Sequence, residues 1–408
     1  MFDIMKILSI NKFYWRKGGS EAVFFNEKEL LESNNHQVVP FSMRSEKNEP
    51  SKFDKFFVNE VDYDATGIAS KIKSAATVLY SLEAKKKMSA ILQEFKPDIA
   101  HFHIFQHQIS PSVFGPLRKV NIPLVLTLHD LKPICPNYKM YTNDHICEEC
   151  KNKKFYKCFS NKCNKGSTAK SLVSTMEMYL HYALGYYQKV DRYIAVSKFY
   201  QQKMIEFGFP EEQISYIPNY IDVAAYKLSK NDGGYALSFG RLSEEKGVEI
   251  LVEAARLCPN IPIIIAGSGP AESKLKQLAV DKNLKNISFV GFKTGEELQN
   301  LISNASFTII TSKWYENCPM SILESLAVGK PVIGANIGGI PELINNEVDG
   351  LIFEVGSPVD LATKMNFLWL ANKNRIEMGI EGRKKIERNF NPKQHYEQLI
   401  SLYTELIR

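Results

Sequence analysis

The strongest constraint on this chain is an alternation that occurs twice. Six short apolar runs, MKILSI, QVVPF, DIAHFH, PLVLTLH, RYIAVS and ISYIPN, are separated by stretches of helical period such as SEAVFFNEKELLES, ASKIKSAATVLYSLEAKKKMSAILQEF and SLVSTMEMYLHYALGYYQKV. A polar, glycine-bearing break, Leu228 to Tyr235, follows. The alternation then restarts with YALSFG, IPIIIAG, NISFVG and SFTIIT, each followed by a helical stretch. Short apolar strands alternating with helices predict βαβ units and parallel sheets covered on both faces. The expected fold class is therefore α/β, with two doubly wound parallel-sheet halves. At 408 residues the chain exceeds one ordinary core, which also favours two domains. Boundaries are expected at 1–225 and 226–385, and 386–408 is expected to form a closing amphipathic helix that packs back on the first domain.

In doubly wound sheets, ligands bind beyond the carboxyl ends of the strands, and the chemically informative residues fall there. Gly18 and Gly19 follow the first run and open a helix, while His129 and Asp130 end PLVLTLH. Arg241 follows YALSFG, Lys246 comes five residues later, and Gly267 and Gly269 end IPIIIAG. Glu316 lies just past SFTIIT in the stretch WYENCPMSILESLAVGKP. Proline is tolerated in a first helical turn and glycine just past a last one. A helix from Pro319 to about Val328 is thus expected, capped by Asn317 or Cys318 and closed by Gly329. Its N–H groups and positive dipole end suit an anionic or hydroxyl-rich ligand. Glu324 stands about 7 to 8 Å along that helix from Pro319. A ligand touching both Glu316 and Glu324 must be long, and a nucleotide diphosphate sugar has hydroxyls at both ends with phosphates between.

Composition excludes some alternatives. Apolar residues make up 44% and charged residues 24%, ordinary globular usage. No apolar run reaches the roughly 18 residues of a membrane span. The opening MFDIMKILSI is too short and acidic for a secretion signal, so a cytoplasmic location is expected. The formal charge of +6 resides in the first half, where 30 Lys and Arg stand against 24 Asp and Glu between Met1 and Asp222. Lys71, Lys73, Lys85, Lys86 and Lys87 are read as one helical stretch able to meet an anionic membrane surface.

Five of seven cysteines crowd between Cys135 and Cys163. In a cytosolic protein such density points to metal before disulfides. Cys147 and Cys150 form a Cys-x2-Cys pair, and Cys135, Cys158 and Cys163 compete to complete a tetrahedral zinc site. The lysines and aromatics of KNKKFYKCFSNKCNK also admit a nucleic-acid-binding zinc knuckle. That reading leaves the ordered strand-end residues unexplained, and no nucleic-acid partner is expected. Asp62-Tyr63-Asp64 imitates a metal-binding Asp-x-Asp, but sits in an acidic loop where chance accounts for it.

The pieces GGSE, LHD, AVSKF, IPNYID, FGRLSEEKG, AGSGP, FVGF and ENCPMSILESLAVGKPVIGANIGGIPE run in order from residue 18 to 342. As a set they resemble the retaining glycosyltransferases of family four, or group 1, with the GT-B fold. The resemblance implies two Rossmann-like domains facing across a cleft, the second binding a UDP- or GDP-sugar. It implies that Arg241 and Lys246 neutralise the diphosphate, that Glu316 holds hydroxyls of the donor hexose with help from the backbone around Asn317, Cys318, Pro319 and Met320, and that Glu324 holds the ribose. The main chain near Phe292 would contact the base, and Gly269 would join the donor site. Gly18 and Gly19 would let the first-domain backbone approach phosphates and acceptor, with His129 near the sugar.

By the same resemblance, anomeric configuration is retained by front-face attack, the leaving phosphate helps deprotonate the acceptor, and no catalytic metal is needed. Two flanking carboxylates otherwise suggest glycoside hydrolysis, but here they are assigned to donor binding. The acceptor is expected to be a glycan on undecaprenyl diphosphate, for O-antigen or capsule-type polysaccharide, with the enzyme peripheral at the inner face of the membrane. A GT-B epimerase or phosphorylase is the alternative. Many relatives carry a glycine-containing loop where this chain has Asn317, Cys318 and Pro319, so the donor sugar stays open. A cysteine-rich insert, here 133–166, also occurs in part of the class, and the resemblance favours Cys135, Cys147, Cys150 and Cys163 as structural zinc ligands with Cys158 spare.

Overall fold

The computed structural model describes residues 3–61 and 67–408; Asp62, Tyr63 and Asp64 lie outside the described residues. The chain divides into two compact units. The first comprises Met1–Met140, Glu148–Ile217 and Tyr396–Arg408; the second comprises Tyr141–Cys147 and Pro218–His395. The main division at 217/218 precedes the boundary expected at 225/226.

The first unit is built on strands β1 (Lys6–Ile10), β2 (Gln37–Phe41), β3 (Ile99–Phe102) and β4 (Leu124–Leu128). A hairpin of β5 (Tyr141–Thr142) and β6 (His145–Ile146) intervenes before β7 (Arg192–Ala195) and β8 (Ile214–Tyr216). The sheet order is β2-β1-β3-β4-β7-β8, every pairing parallel. All of β3 and β4 is buried, as expected of strands covered on both faces. Each fully buried Leu or Ile there contributes about 2 kcal/mol of transfer free energy.

The second unit carries β9 (Ala236–Phe239), β10 (Ile263–Ala266), β11 (Ile287–Gly291), β12 (Phe307–Ile310), β13 (Val332–Ala335) and β14 (Gly350–Phe353). Their order is β11-β10-β9-β12-β13-β14, again parallel throughout. Strand order reverses between β9 and β12, so the crevice outside their carboxyl ends is this sheet's topological switch point. In the first sheet the corresponding point lies between β1 and β3.

Two helical stretches differ from expectation. The stretch from Ala69 to Phe95 is not one helix but two, Ile68–Leu79 and Leu82–Glu94. Tyr80 is extended, and the Ser81 hydroxyl accepts the Ala84 N–H at 3.1 Å, the geometry of a helix N-cap. The Lys71/Lys73 pair and the Lys85–Lys87 run therefore sit on different helices. Lys87 is also tied down, donating to the Phe57 carbonyl and standing 3.5 Å from Glu83. At the end of the chain Asn372–Asn389 and Pro392–Ile407 form separate helices, the second starting at Pro392, where a missing N–H costs nothing. Among the described residues no helix is long and apolar enough to cross a membrane.

Candidate active site

In the second unit, β9 leads into the loop of Arg241 and Lys246, and neighbouring β12 leads into the loop of Glu316. Two glycines bring these loops together. Gly247 has φ +63°, and a Cβ there would stand 2.3 Å from the Thr311 carbonyl oxygen. Gly338 has φ +59°, and a Cβ there would lie 2.4 Å from the Glu316 carbonyl oxygen. Neither position tolerates a side chain without backbone movement. The result is an ion pair at the switch point, with the Lys246 ammonium 2.5 Å from Glu316 Oε1. The Ser312 hydroxyl donates to the same oxygen, and Lys246 also lies 5.3 Å from the centre of the Trp314 ring. Burial pushes the Glu316 carboxyl up, but the Lys246 charge and the hydrogen bonds from Lys246 and Ser312 outweigh it, leaving the group below its ordinary range. Glu316 is thus a buried carboxylate that stays ionised at neutral pH.

Arg241 is exposed and, among the described residues, has no ion-pair partner. The helix after Glu316 runs Met320–Ala327, with Pro319 at the N-cap position and no side-chain cap. Asn317 and Cys318 therefore do not cap it, contrary to expectation. Pro319 cannot donate from its own nitrogen, and the first-turn N–H groups remain unmatched by side chains. Cys318 is buried, its thiol pushed up to about 12 chiefly by burial, and its carbonyl accepts from the Asn219 amide at 3.1 Å. One turn into the helix, Glu324 is half-buried. Among the described residues nothing donates to its carboxylate, and burial raises its pKa to about 7. Gly269, past β10, packs backbone to backbone, since a Cβ there would meet the Leu242 carbonyl oxygen at 2.2 Å. Phe292, past β11, is exposed.

In the first unit Gly18 is the N-cap of helix Gly19–Ser33, in extended conformation. A Cβ added at Gly19 would meet nothing within 4 Å, so the fold itself does not require glycine there. His129, just past β4, is half-buried and lies against His103, with Nε2 to Nδ1 at 2.9 Å and the rings stacked. Burial, then the neighbouring His103, holds its pKa well below the ordinary imidazole value, so it is neutral.

Behind His129 is a buried polar chain that sequence reasoning missed. Glu27 Oε1 lies 2.9 Å from His101 Nδ1 and 3.4 Å from His103 Nε2. His101 also meets the Thr127 hydroxyl at 2.7 Å and the Tyr403 hydroxyl at 2.6 Å. Burial raises the Glu27 carboxyl, but the neighbouring His101 and His103 hold it well below its ordinary value. Glu27 and His129 thus flank His103, the carboxylate beside its Nε2 and the His129 Nε2 beside its Nδ1, so Glu27 acts through one ring on the proton shared across the His103–His129 contact. The available signal was His-x-His at the end of β3, whose period of two puts both rings on one face.

In the cysteine-rich insert the thiols of Cys158 and Cys163 are hydrogen-bonded, with Cys135 and Cys150 close enough to act electrostatically on Cys158, whose pKa is raised. Cys147 belongs to the segment that groups with the second unit.

A sequence profile described as Glycosyltransferase Family 4 matches residues 17–225, and one described as Glycosyl transferases group 1 matches residues 224–385. The chain belongs to this glycosyltransferase family. Among its relatives is the amylovoran biosynthesis glycosyltransferase AmsK of Erwinia amylovora, 29% identical over 52% of this chain and 56% of that protein. Another is O-antigen chain mannosyltransferase C of Escherichia coli, 27% identical over 53% and 59%. The chain thus spans between half and three-fifths of the length of these two relatives. A crystal structure of Anabaena HepE in complex with UDP and glucose superposes with TM-score 0.66 at 18% identity, covering 98% of this chain and 99% of that one. The chain accordingly has the two-domain GT-B fold.

Proposed function

We propose that this protein transfers a hexose from a UDP- or GDP-sugar to a lipid-linked glycan, with retention of configuration and without a catalytic metal, in surface polysaccharide synthesis. The observation that carries the proposal is the Lys246–Glu316 pair at the β9/β12 switch point, followed by the carboxylate of Glu324 one turn into the next helix. Arg241 and Lys246 neutralise the diphosphate and the charge that grows on the departing nucleotide. Glu316, with the uncapped helix start from Asn317 to Met320, holds the hexose hydroxyls. Glu324 takes the ribose, and the main chain at Phe292 and Gly269 meets the nucleoside. On the first unit, Gly18, Gly19 and the neutral His129 serve the acceptor and the reacting sugar. The names of the relatives in amylovoran and O-antigen synthesis, and the UDP and glucose in the HepE structure, support this reading.

The test is calorimetric binding of UDP, GDP and ADP to the wild type and to Glu324→Ala. Selective binding of one nucleotide, weakened by the substitution, supports the donor site. No binding of any nucleotide overturns it. The anomeric configuration of the product, read by NMR, decides retention.

The insert is read as a structural zinc site. The donor set fits a four-cysteine site in chemistry, since Cys135, Cys150 and Cys163 all act on Cys158, and Cys147 pairs with Cys150 in the Cys-x2-Cys spacing. A closed sulfur set supplies structural cross-linking with no open position for catalysis. Cys158 is therefore a candidate ligand beside Cys135, Cys147, Cys150 and Cys163.

A further inference from the structure

Helix Thr168–Ala183 turns Ser171, Ser174, Thr175, Met178 and His181 inward. On its other side Leu172, Met176 and Tyr179, spaced i, i+4, i+7, form one stripe. Their exposures are 44%, 50% and 42%, and together they make a contiguous apolar strip rather than scattered single residues. The stripe continues into helix Tyr156–Ser160, where Tyr156 and Phe159 are 51% and 39% exposed. The Tyr156 N–H donates to the Tyr179 hydroxyl at 3.2 Å, fixing the two segments side by side.

The charge along these two helices is of one sign. Residues 151–184 contain seven lysines and a single acidic residue, Glu177. Glu177 is buried and bonded to Lys132, so it offers nothing to the surface. One of the seven, Lys157, is paired with Glu149 at 3.3 Å. Lys153 and Lys154 immediately precede the Tyr156 segment. Lys162 and Lys165 flank Asn164, whose N–H and side-chain amide bond Ser171 and Ser174, each at 3.0 Å. Lysines thus stand in the chain just before each apolar segment, Lys153 and Lys154 before Tyr156, and Lys162, Lys165 and Lys170 before Leu172.

We propose that this patch is the surface on which the protein rests on an anionic bilayer. Leu172 and Met176 enter the acyl boundary, Tyr156 and Tyr179 sit at headgroup depth, and the lysines meet lipid phosphates. The inference deepens the lipid-linked acceptor reading and rests on it. It moves the membrane contact from the Lys85–Lys87 run, where Lys87 is engaged by protein groups, to the cysteine-rich insert and the helix after it. A nucleic acid would use the same cations and could stack on Tyr156, Phe159 and Tyr179; what favours the bilayer is Leu172 and Met176, which offer no face for stacking and suit an acyl boundary.

The experiment is co-sedimentation of the full chain with vesicles of phosphatidylcholine alone and with phosphatidylglycerol added. Binding is expected only with the anionic lipid. Lys153→Gln/Lys154→Gln should weaken it about 30-fold, from about fivefold per lysine. Leu172→Gln/Met176→Gln should abolish the part that survives high salt. Calorimetric UDP or GDP binding, which uses second-unit residues, should be unchanged in both variants and shows that they are folded. Wild type that ignores anionic vesicles, or variants that bind them as wild type does, overturns the proposal while leaving the donor-site reading standing. Loss of nucleotide binding by the wild type overturns that reading instead. Binding of a single-stranded oligonucleotide in place of vesicles, or self-association abolished by the same substitutions, reassigns the patch and overturns the proposal too.

Discussion

The Lys246 ammonium rests 2.5 Å from the Glu316 carboxylate, joining the loops after β9 and β12. The pair does two things at once: it keeps a buried carboxylate ionised, and it holds a cation at the switch point. Removing the lysine leaves Glu316 buried and uncompensated. Because the lysine side chain is itself 30% exposed, the stability cost of Lys246→Ala is set below the range for fully buried pairs, at about 1 to 2 kcal/mol. The loss in kcat/KM should be larger, about 10² to 10³, if the cation stabilises the leaving diphosphate. Urea unfolding and steady-state kinetics on the same preparation separate the two effects. A variant that keeps wild-type kcat/KM would remove Lys246 from the reaction.

Glu324 predicts a pH dependence in two directions. Its folded pKa, raised to about 7 by burial, lies above that of an unfolded glutamate. The group therefore costs stability as pH rises from about 4.5 through 7. Glu324→Gln should stabilise the protein by about 2 to 3 kcal/mol at pH 8 and hardly at all at pH 4.5. Ribose hydroxyls that donate to the carboxylate favour its ionised form, so nucleotide affinity of the wild type should rise about tenfold between pH 6 and 8. Affinity that is flat in pH, or falls, would be incompatible with the ribose assignment.

The strands of both sheets that carry the site were legible because each is a short apolar run closed by Gly, Pro, Asn or a polar residue. β13 and β14 were not singled out: VIGA and GLIF are four residues long, each contains glycine, and both follow closely on helix or turn signals. The helix break at Tyr80 was hidden because apolar periodicity continues through it and only the Ser81 cap marks the restart. Arg241, Lys246, Glu316 and Glu324 could be picked out since strand-end position is readable from chain order. Glu27 could not, because its neighbours His101 and His103 are more than 70 residues away in sequence and meet it only when β3 lies under helix Gly19–Ser33.

That buried chain predicts a role for a residue with no substrate contact. Glu27 bears on the protonation of His103, and His103 shares one proton with His129 across a 2.9 Å contact. Glu27→Gln should lower kcat by about 10²-fold if His129 acts on a proton in the reaction, with KM for the donor unchanged because nucleotide residues lie in the second unit. The ¹⁵N shifts of the His129 ring should move toward a mixture of tautomers. Unaltered shifts with reduced kcat would mean that Glu27 acts through stability alone.

The zinc reading turns on Cys158. Cys135, Cys150 and Cys163 all bear on the buried Cys158, and such neighbouring thiols cannot ionise together unless a cation replaces their protons, as a dication coordinated by sulfur does at neutral pH. Protein purified without chelator should contain about one zinc per chain, measured by atomic emission. If Cys158 is a ligand, Cys158→Ser should lower zinc content as far as Cys163→Ser does. If Cys147 completes the set instead, Cys147→Ser should lose zinc while Cys158→Ser keeps it. Metal removal should lower the melting temperature, since the insert is tied to Phe155, Met178 and Tyr187 through a shared apolar cluster with Cys150 and Cys158, and metal binding to a folded site adds its own free energy to folding. Wild type that carries no zinc, with a melting temperature indifferent to chelator, would leave these cysteines as core thiols packed for their apolar character.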